Sequence, residues 1–143
     1  LLLLKHHVRF KRINVVRDLA PDLLRVPNAS TEQLVQVFMA LLLNALDAMA
    51  GRHGSITIRT APGRTPTEGV MAEVIDQGHG IPRSELHKIF EPFYTTKDPG
   101  KGTGLGLSIC YGIIQEHGGR MEVESVVGQG STFRMTLPSV DDS

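Results

Sequence analysis

The sequence predicts an α+β fold: a two-layer α/β sandwich whose mixed, mostly antiparallel sheet carries its helices on one face. Three observations carry that prediction. Short alternating segments pair off around turn residues, as in SITIRT (55–60) with VMAEVID (70–76) and RMEVESVV (120–127) with STFRMTL (131–137). Two stretches have helical spacing instead, one of them long and strongly apolar. The chain has 143 residues, 41% of them apolar, enough for the core of one ordinary domain.

The elements follow in order. INVVRDL (13–19) is rich in β-branched residues and reads as a strand. Pro21 and Pro27 bracket a loop, after which Ser30 stands as a helix N-cap with Gln33 completing a capping box. The helix runs from about Thr31 to Ala50, stops at Gly51, and reads as buried on most sides. Residues 55–60 form a strand, 61–69 a turn-rich connection, and 70–76 a strand antiparallel to the last. Ser84–Ile89 is a short helix, and residues 90–106 hold no periodic element. Leu107–His117 is helical and ends at Gly118-Gly119. The strands at 120–127 and 131–137 flank Gly128-Gln129-Gly130, a hairpin turn.

Composition narrows function. Fifteen basic and fifteen acidic residues cancel, which gives no support for a nucleic-acid or anionic-membrane surface. A single cysteine, Cys110, forbids an internal disulfide and fits a reducing compartment. No apolar run approaches the ~20 residues of a membrane span. LLLLKHHVRF is not a signal peptide, because its charges follow the apolar run. The expectation is a fragment of a longer chain, with residues 1–12 the end of a preceding helix or linker, 13–140 the domain, and 141–143 a tail.

Three groups of residues carry candidate chemistry. Gln36, Ala40, Asn44 and Asp47 recur at spacings of four, four and three, so they share one face of the long helix. Asn44 on such a face is either a structural amide or a hard oxygen ligand suited to Mg²⁺. VIDQGHGIP sets Asp76 at a strand end, followed by Gly78 and Gly80. That is ordinary turn chemistry, or a carboxylate placed to accept a hydrogen bond from a planar ligand such as adenine. His79 reads as a loop histidine, and His6-His7 lack the neighbours of a metal site.

The third group is DPGKGTGLGLS (98–108), with alternating glycines, Lys97 and Lys101 nearby, and a helix starting directly after. Its spacing matches neither the dinucleotide fingerprint nor the P-loop. Free backbone N–H groups beside a helix N-terminus still suit an anion. Phe90, Phe93 and Tyr94 upstream are placed to anchor one end of a lid. A plain surface connector is the alternative.

Together these segments resemble the ATP-binding catalytic domain of bacterial sensor histidine kinases, in the superfamily shared with DNA gyrase, Hsp90 and MutL. LLLNALDAM is similar to the N box, DQGHGIP to the first glycine box, FEPFYTTK to the F box, GKGTGLGLS to the second glycine box and GQGSTF to the last. All five occur in order across roughly residues 30 to 138. The resemblance implies a Bergerat-type fold that binds Mg-ATP. It implies that Asn44 is the catalytic and metal-binding residue and Asp76 the acceptor for the adenine amine, with Thr132 supporting the Asp76 side. Asp47, Ala48, Gly78, Gly80 and Ile81 would surround the nucleotide. Gly102, Thr103, Gly104, Leu105, Gly106 and Leu107 would form the lid and phosphate cradle, Lys97 would reach a phosphate, and Phe90 and Phe93 would pack the lid's base.

By the same resemblance the γ-phosphate passes to a histidine on a separate dimerisation domain and then to an aspartate of a response-regulator receiver domain, in the cytoplasm. Two departures matter. Ala40 stands one turn before Asn44, where many histidine kinases carry a second Asn and the gyrase branch a catalytic Glu. Alanine has no acid or base to offer, so rapid hydrolysis is not expected. No box beginning His-Glu or His-Asp is present, so the fragment is not expected to phosphorylate itself. The competing expectations are a nucleotide-binding or docking module without phosphotransfer, and an ATPase of the gyrase type.

Overall fold

A computed structural model describes residues 13–18, 31–50, 53–65, 68–91 and 106–138. Strand β1 (Ile13–Asp18) is followed by helix α1 (Thr31–Ala48) and strand β2 (Gly54–Pro62), then β3 (Glu68–Ile75). A short 3₁₀ turn (Arg83–Glu85), helix α2 (Gly106–Glu116), β4 (Arg120–Val126) and β5 (Gly130–Pro138) complete the order. Ser30 and the segment from 92 to 105 lie outside the described residues.

The strands form one five-stranded sheet in the order β1-β2-β3-β5-β4. β1 and β2 are parallel neighbours, which requires a crossover, and α1 supplies it. Every other pairing is antiparallel. α2 carries the chain to the edge strand β4, and a tight hairpin returns it as β5 beside β3. That return sets Ile75, at the end of β3, opposite Thr132. It is the step that gathers the site.

One sheet face packs on the helices, making the expected α+β two-layer sandwich. Ile56 and Ile58 of β2, Ala72 and Val74 of β3, Met121 of β4 and Phe133, Met135 and Leu137 of β5 are buried there. Against them lie Val37, Leu41, Leu42, Ala45, Leu46 and Met49 of α1, and Cys110, Ile113 and Ile114 of α2. The α1 positions recur at intervals of one, three and four, a stripe along one side of a helix. The helix is at least partly buried on most sides, as expected: Leu34, Phe38, Met39 and Ala40 also pack against the core, while Val35, at 54%, and Leu43, at 38%, are exposed.

Local chemistry explains the boundaries. α1 ends two residues before Ala50, since Met49 and Ala50 turn back with N–H groups donating to Ala45 and Asp47 carbonyls. α2 stops at Gly118, whose φ of 77° suits glycine. There the Gly118 N–H donates to the Gln115 carbonyl and the Gly119 N–H to that of Ile114, each at 2.9 Å, a Schellman closure. The β2–β3 hairpin runs further than alternation implies, because ladder pairing with Val70 draws Pro62 into the strand. Where a short helix was expected at 84–89, three residues of 3₁₀ helix and a run of turns reach Phe90.

The outer sheet face is charged and internally paired. Glu73 is 4% exposed, with Arg59 at 2.6 Å and Arg134 at 2.8 Å, and Arg134 also reaches Glu124 at 3.0 Å. Burial pushes the Glu73 carboxyl up, but hydrogen bonds and charge from the two guanidinium groups more than offset this and hold it below the usual range.

Candidate functional site

The polar side of α1, the loop after β3, the start of α2 and the first half of β5 enclose a cleft of about 450 Å³. α1 contributes Asn44, Asp47 and Ala48, one turn of helix ending at its C-terminus. The loop contributes His79, Gly80, Ile81 and Pro82, with Ile89 beyond it. α2 adds Leu107, and β5 adds Ser131 and Phe133. The lining is mainly apolar with a few convergent polar groups, the usual make-up of a small-molecule site.

Asn44 is half-buried and lines the cleft, and its side chain makes no hydrogen bond among the described residues. An amide in that position retains its donor and acceptor capacity for something in the cleft.

Asp76 follows β3 directly and is 3% exposed. Its Oδ1 accepts from the Gly78 N–H at 2.8 Å and from the Ser131 N–H at 3.2 Å. The Asp76 N–H donates to the Ser131 carbonyl at 2.9 Å, locking the acid to β5. Oδ2 has no partner among the described residues. Burial raises the Asp76 carboxyl above its ordinary value, and the two backbone N–H bonds, with the nearby His79 charge, only partly offset it. Asp76 is not itself part of the lining; it sits behind Ser131, joined to it by those two bonds.

The loop is fastened at several points. The His79 N–H donates to the Ala48 carbonyl at 3.1 Å, and the Gly128 N–H to the His79 carbonyl at 2.8 Å. His79 Nδ1 lies 2.8 Å from the Gly80 carbonyl, which fixes Nδ1–H as the donor. A Cβ at Gly78 would run into the Ala48 carbonyl, and one at Gly80 into that of Val126. The close backbone approach at both glycines is thus to the chain's own neighbouring elements, and Gly80 also faces the cleft.

Of the residues singled out in the sequence, Asn44, Asp47, Ala48, Gly80, Ile81 and Leu107 meet in the lining, with Asp76 and Gly78 behind it. Phe90 packs at a ring distance of 5.2 Å from Tyr111 of α2 and 6.3 Å, edge-on, from Phe133 of β5, so it ties the segment before residue 92 to both layers. Gly106 is exposed as the first residue of α2. Lys97, Gly102, Thr103, Gly104 and Leu105 lie outside the described residues. The support for Asp76 assigned to Thr132 comes from Ser131, while Thr132 sits opposite Ile75 and Glu124 in the sheet. Sequence reasoning missed Ser131, although its parity with Phe133, Met135 and Leu137 already marked the inward face. Pro82, Ile89 and Phe133 enter the lining only through tertiary contact.

Neither remaining nucleophile nor metal cluster competes with this cleft. Cys110 is buried and its thiol is pushed up to about 11 by burial, so it is inert at neutral pH. No cluster of three or more His, Cys, Asp or Glu side chains occurs among the described residues.

Residues 29–141 match the family of histidine kinase-, DNA gyrase B-, and HSP90-like ATPases. The chain belongs to that family. It is 44% identical to Sporulation kinase C of Bacillus subtilis (strain 168) over 81% of this chain and 26% of that protein. It is 45% identical to Sensor kinase CckA of Brucella abortus (strain 2308) over 89% of this chain and 14% of that protein. The chain thus spans about a quarter or less of the length of these relatives. The catalytic domain of histidine kinase ThkA superposes with a TM-score of 0.79 at 36% identity, over 96% of this chain and 88% of that one. The fold is therefore that of a histidine-kinase catalytic domain, and the order of sequence boxes reflects common architecture.

Proposed function

We propose that this domain binds Mg-ATP in the cleft and delivers the γ-phosphate to a histidine on a dimerisation domain of its parent protein, from which the phosphate goes to a receiver-domain aspartate. The observation that carries this reading is a cleft lined by Asn44, whose side-chain amide is unpartnered among the described residues, and backed at Ser131 by a strand-end carboxylate, Asp76, whose Oδ2 is likewise unpartnered among them. An amine-bearing base suits the second and a hard cation the first.

The donor chemistry fits magnesium, which takes few protein oxygens and fills its shell with phosphate oxygens and water. Asn44 would hold it. When bound, the ion supplies charge neutralisation for the phosphoryl group and its leaving oxygen. The chain's own residues do the rest. Asp76 Oδ1 is held by the Gly78 and Ser131 amides, so Oδ2 meets the base in a fixed orientation. Ile81, Ile89, Leu107 and Phe133 give the base an apolar bed and keep water out. Asp47 and Ala48 form the floor beside Asn44. By the family resemblance, Lys97 would reach a phosphate and Gly102, Gly104 and Gly106 would cradle the phosphates; of these only Gly106 is among the described residues.

Ala40, half-buried on α1, offers no side-chain base to activate water. That favours transfer to a protein acceptor over hydrolysis. The cytoplasm is the expected setting, since ATP is there, and no described helix is long and apolar enough to cross a membrane.

The test is to mix this chain with the dimerisation domain of its parent, ATP and magnesium. Phosphohistidine on the dimerisation domain is the expected product. Tight nucleotide binding without phosphohistidine would reduce the domain to a nucleotide-binding module, and free phosphate alone would make it an ATPase.

A further inference from the structure

Behind the cleft wall lies a hydroxyl pair whose polarity is decided by its surroundings. Ser125 of β4 and Ser131 of β5 are register partners, with their Oγ atoms 2.7 Å apart. Distance alone leaves the direction of that bond open. A serine hydroxyl has one proton and two lone pairs. Ser125 Oγ accepts from the Ile81 N–H at 2.7 Å and donates to the Gly130 carbonyl at 2.9 Å. Its proton is committed, so in the bond to Ser131 it accepts. Ser131 must be the donor, and its only proton points away from the cleft.

The consequence is felt at the cleft surface. Ser131 lines the cleft, and its lone pairs have no other partner among the described residues. Beside it stands Asp76, whose Oδ2 is likewise unpartnered among the described residues. Ser131 at the cleft surface and Asp76 behind it thus both present acceptors. We infer that Ser125, which does not line the cleft, is a positioning residue for base selection. By holding the Ser131 proton it keeps Ser131 an acceptor, so that the site takes a purine bearing a 6-amino group and rejects one bearing a 6-oxo group. This inference rests on the adenine-nucleotide reading and extends it. A buried site built for one hydrogen-bond polarity discriminates strongly against the reverse, because the mismatched groups are left unpaired.

Calorimetric binding of ADP and IDP, with magnesium, tests it, since the two bases differ in polarity along one edge. The unmodified chain is expected to favour ADP by about a hundredfold. In Ser125→Ala the Ser131 hydroxyl is released to turn and donate into the cleft, and the ADP/IDP preference is expected to shrink about tenfold, partly through tighter IDP binding. Ser125→Thr keeps the hydroxyl and restores the preference. A purely structural role for Ser125 would weaken both ligands together, and an unchanged preference in folded Ser125→Ala overturns the inference. Should Ser125→Ala not fold, Ser131→Ala decides: loss of ADP affinity with IDP unchanged or tighter supports an acceptor at Ser131, whereas equal losses for both overturn it. If the unmodified chain binds no ADP, the adenine reading itself falls, and this one with it.

Discussion

Two carboxylates three residues apart, Glu73 in β3 and Asp76 just past its end, are both sealed from water, at 4% and 3% exposure. They are treated in opposite ways. Glu73 faces outward beneath Arg59 and Arg134, and both of its oxygens are taken by guanidinium groups. Asp76 is held through one oxygen, by neutral backbone amides. For Glu73 the charged partners outweigh desolvation and the carboxyl is held low; for Asp76 desolvation wins and the carboxyl is raised. A buried acid whose charge is fully met stabilises the fold. One whose second oxygen has no partner among the described residues, behind a cleft, is poised for a donor supplied from outside.

The contrast breaks first if the site does no chemistry. Asn44→Asp is expected to abolish phosphotransfer to the dimerisation domain while circular dichroism and thermal melting stay close to those of the parent chain. Undiminished transfer would remove Asn44 from the metal role. Next comes Asp76→Asn, which keeps the shape but turns an acceptor into a donor. Adenine-nucleotide affinity should fall by about a hundredfold, the loss of a charged hydrogen bond worth about 3 kcal/mol. Glu73→Gln should do the reverse, lowering stability by about 1–3 kcal/mol in denaturant titrations and leaving nucleotide affinity within twofold. Were both substitutions to affect binding and stability alike, the division between the two acids would be lost.

A pH series sharpens the comparison. Nucleotide binding needs the Asp76 carboxylate, so affinity should decline as pH falls through its raised pKa, above the ordinary aspartate value of about 4. Glu73 has a depressed pKa in the fold. Its contribution is present above the ordinary glutamate value of about 4.3 and is lost only as pH falls through the lower, folded value. Affinity should therefore fail before the Glu73 contribution does. Melting curves and calorimetry on the same samples give the order. The smallest effect belongs to Arg120, half-exposed and paired with Glu68 and Glu122 at the surface: Arg120→Ala should leave the melting temperature unchanged within error.

Much of this architecture was legible in the residues because periodicity reports burial. The strongly apolar run of α1 and the alternating segments that became β2 to β5 identify the helix and the strands, and the five ordered boxes locate Asn44 and Asp76. The failures also have physical causes. Ser131 and Thr132 differ in role by strand register, since neighbours on a strand face opposite ways. The reach of β2 to Pro62 came from ladder pairing, which propensity does not report. The sequence analysis did not single out Glu73; the registers Arg59↔Glu73 and Glu73↔Arg134 set it between two cations. The polarity of Ser131 depends on Ser125, Ile81 and Gly130 at once, a three-dimensional fact that no spacing encodes.

The central claim is that an adenine nucleotide sits against Asp76 with its phosphates toward Asn44. Titration calorimetry of the chain with an unhydrolysable ATP analogue, with and without magnesium, tests it most directly. The account predicts one site per chain, tighter with magnesium in the parent chain and indifferent to magnesium in Asn44→Ala. No heat of binding from the folded parent chain, or binding that Asp76→Asn leaves untouched, would contradict it.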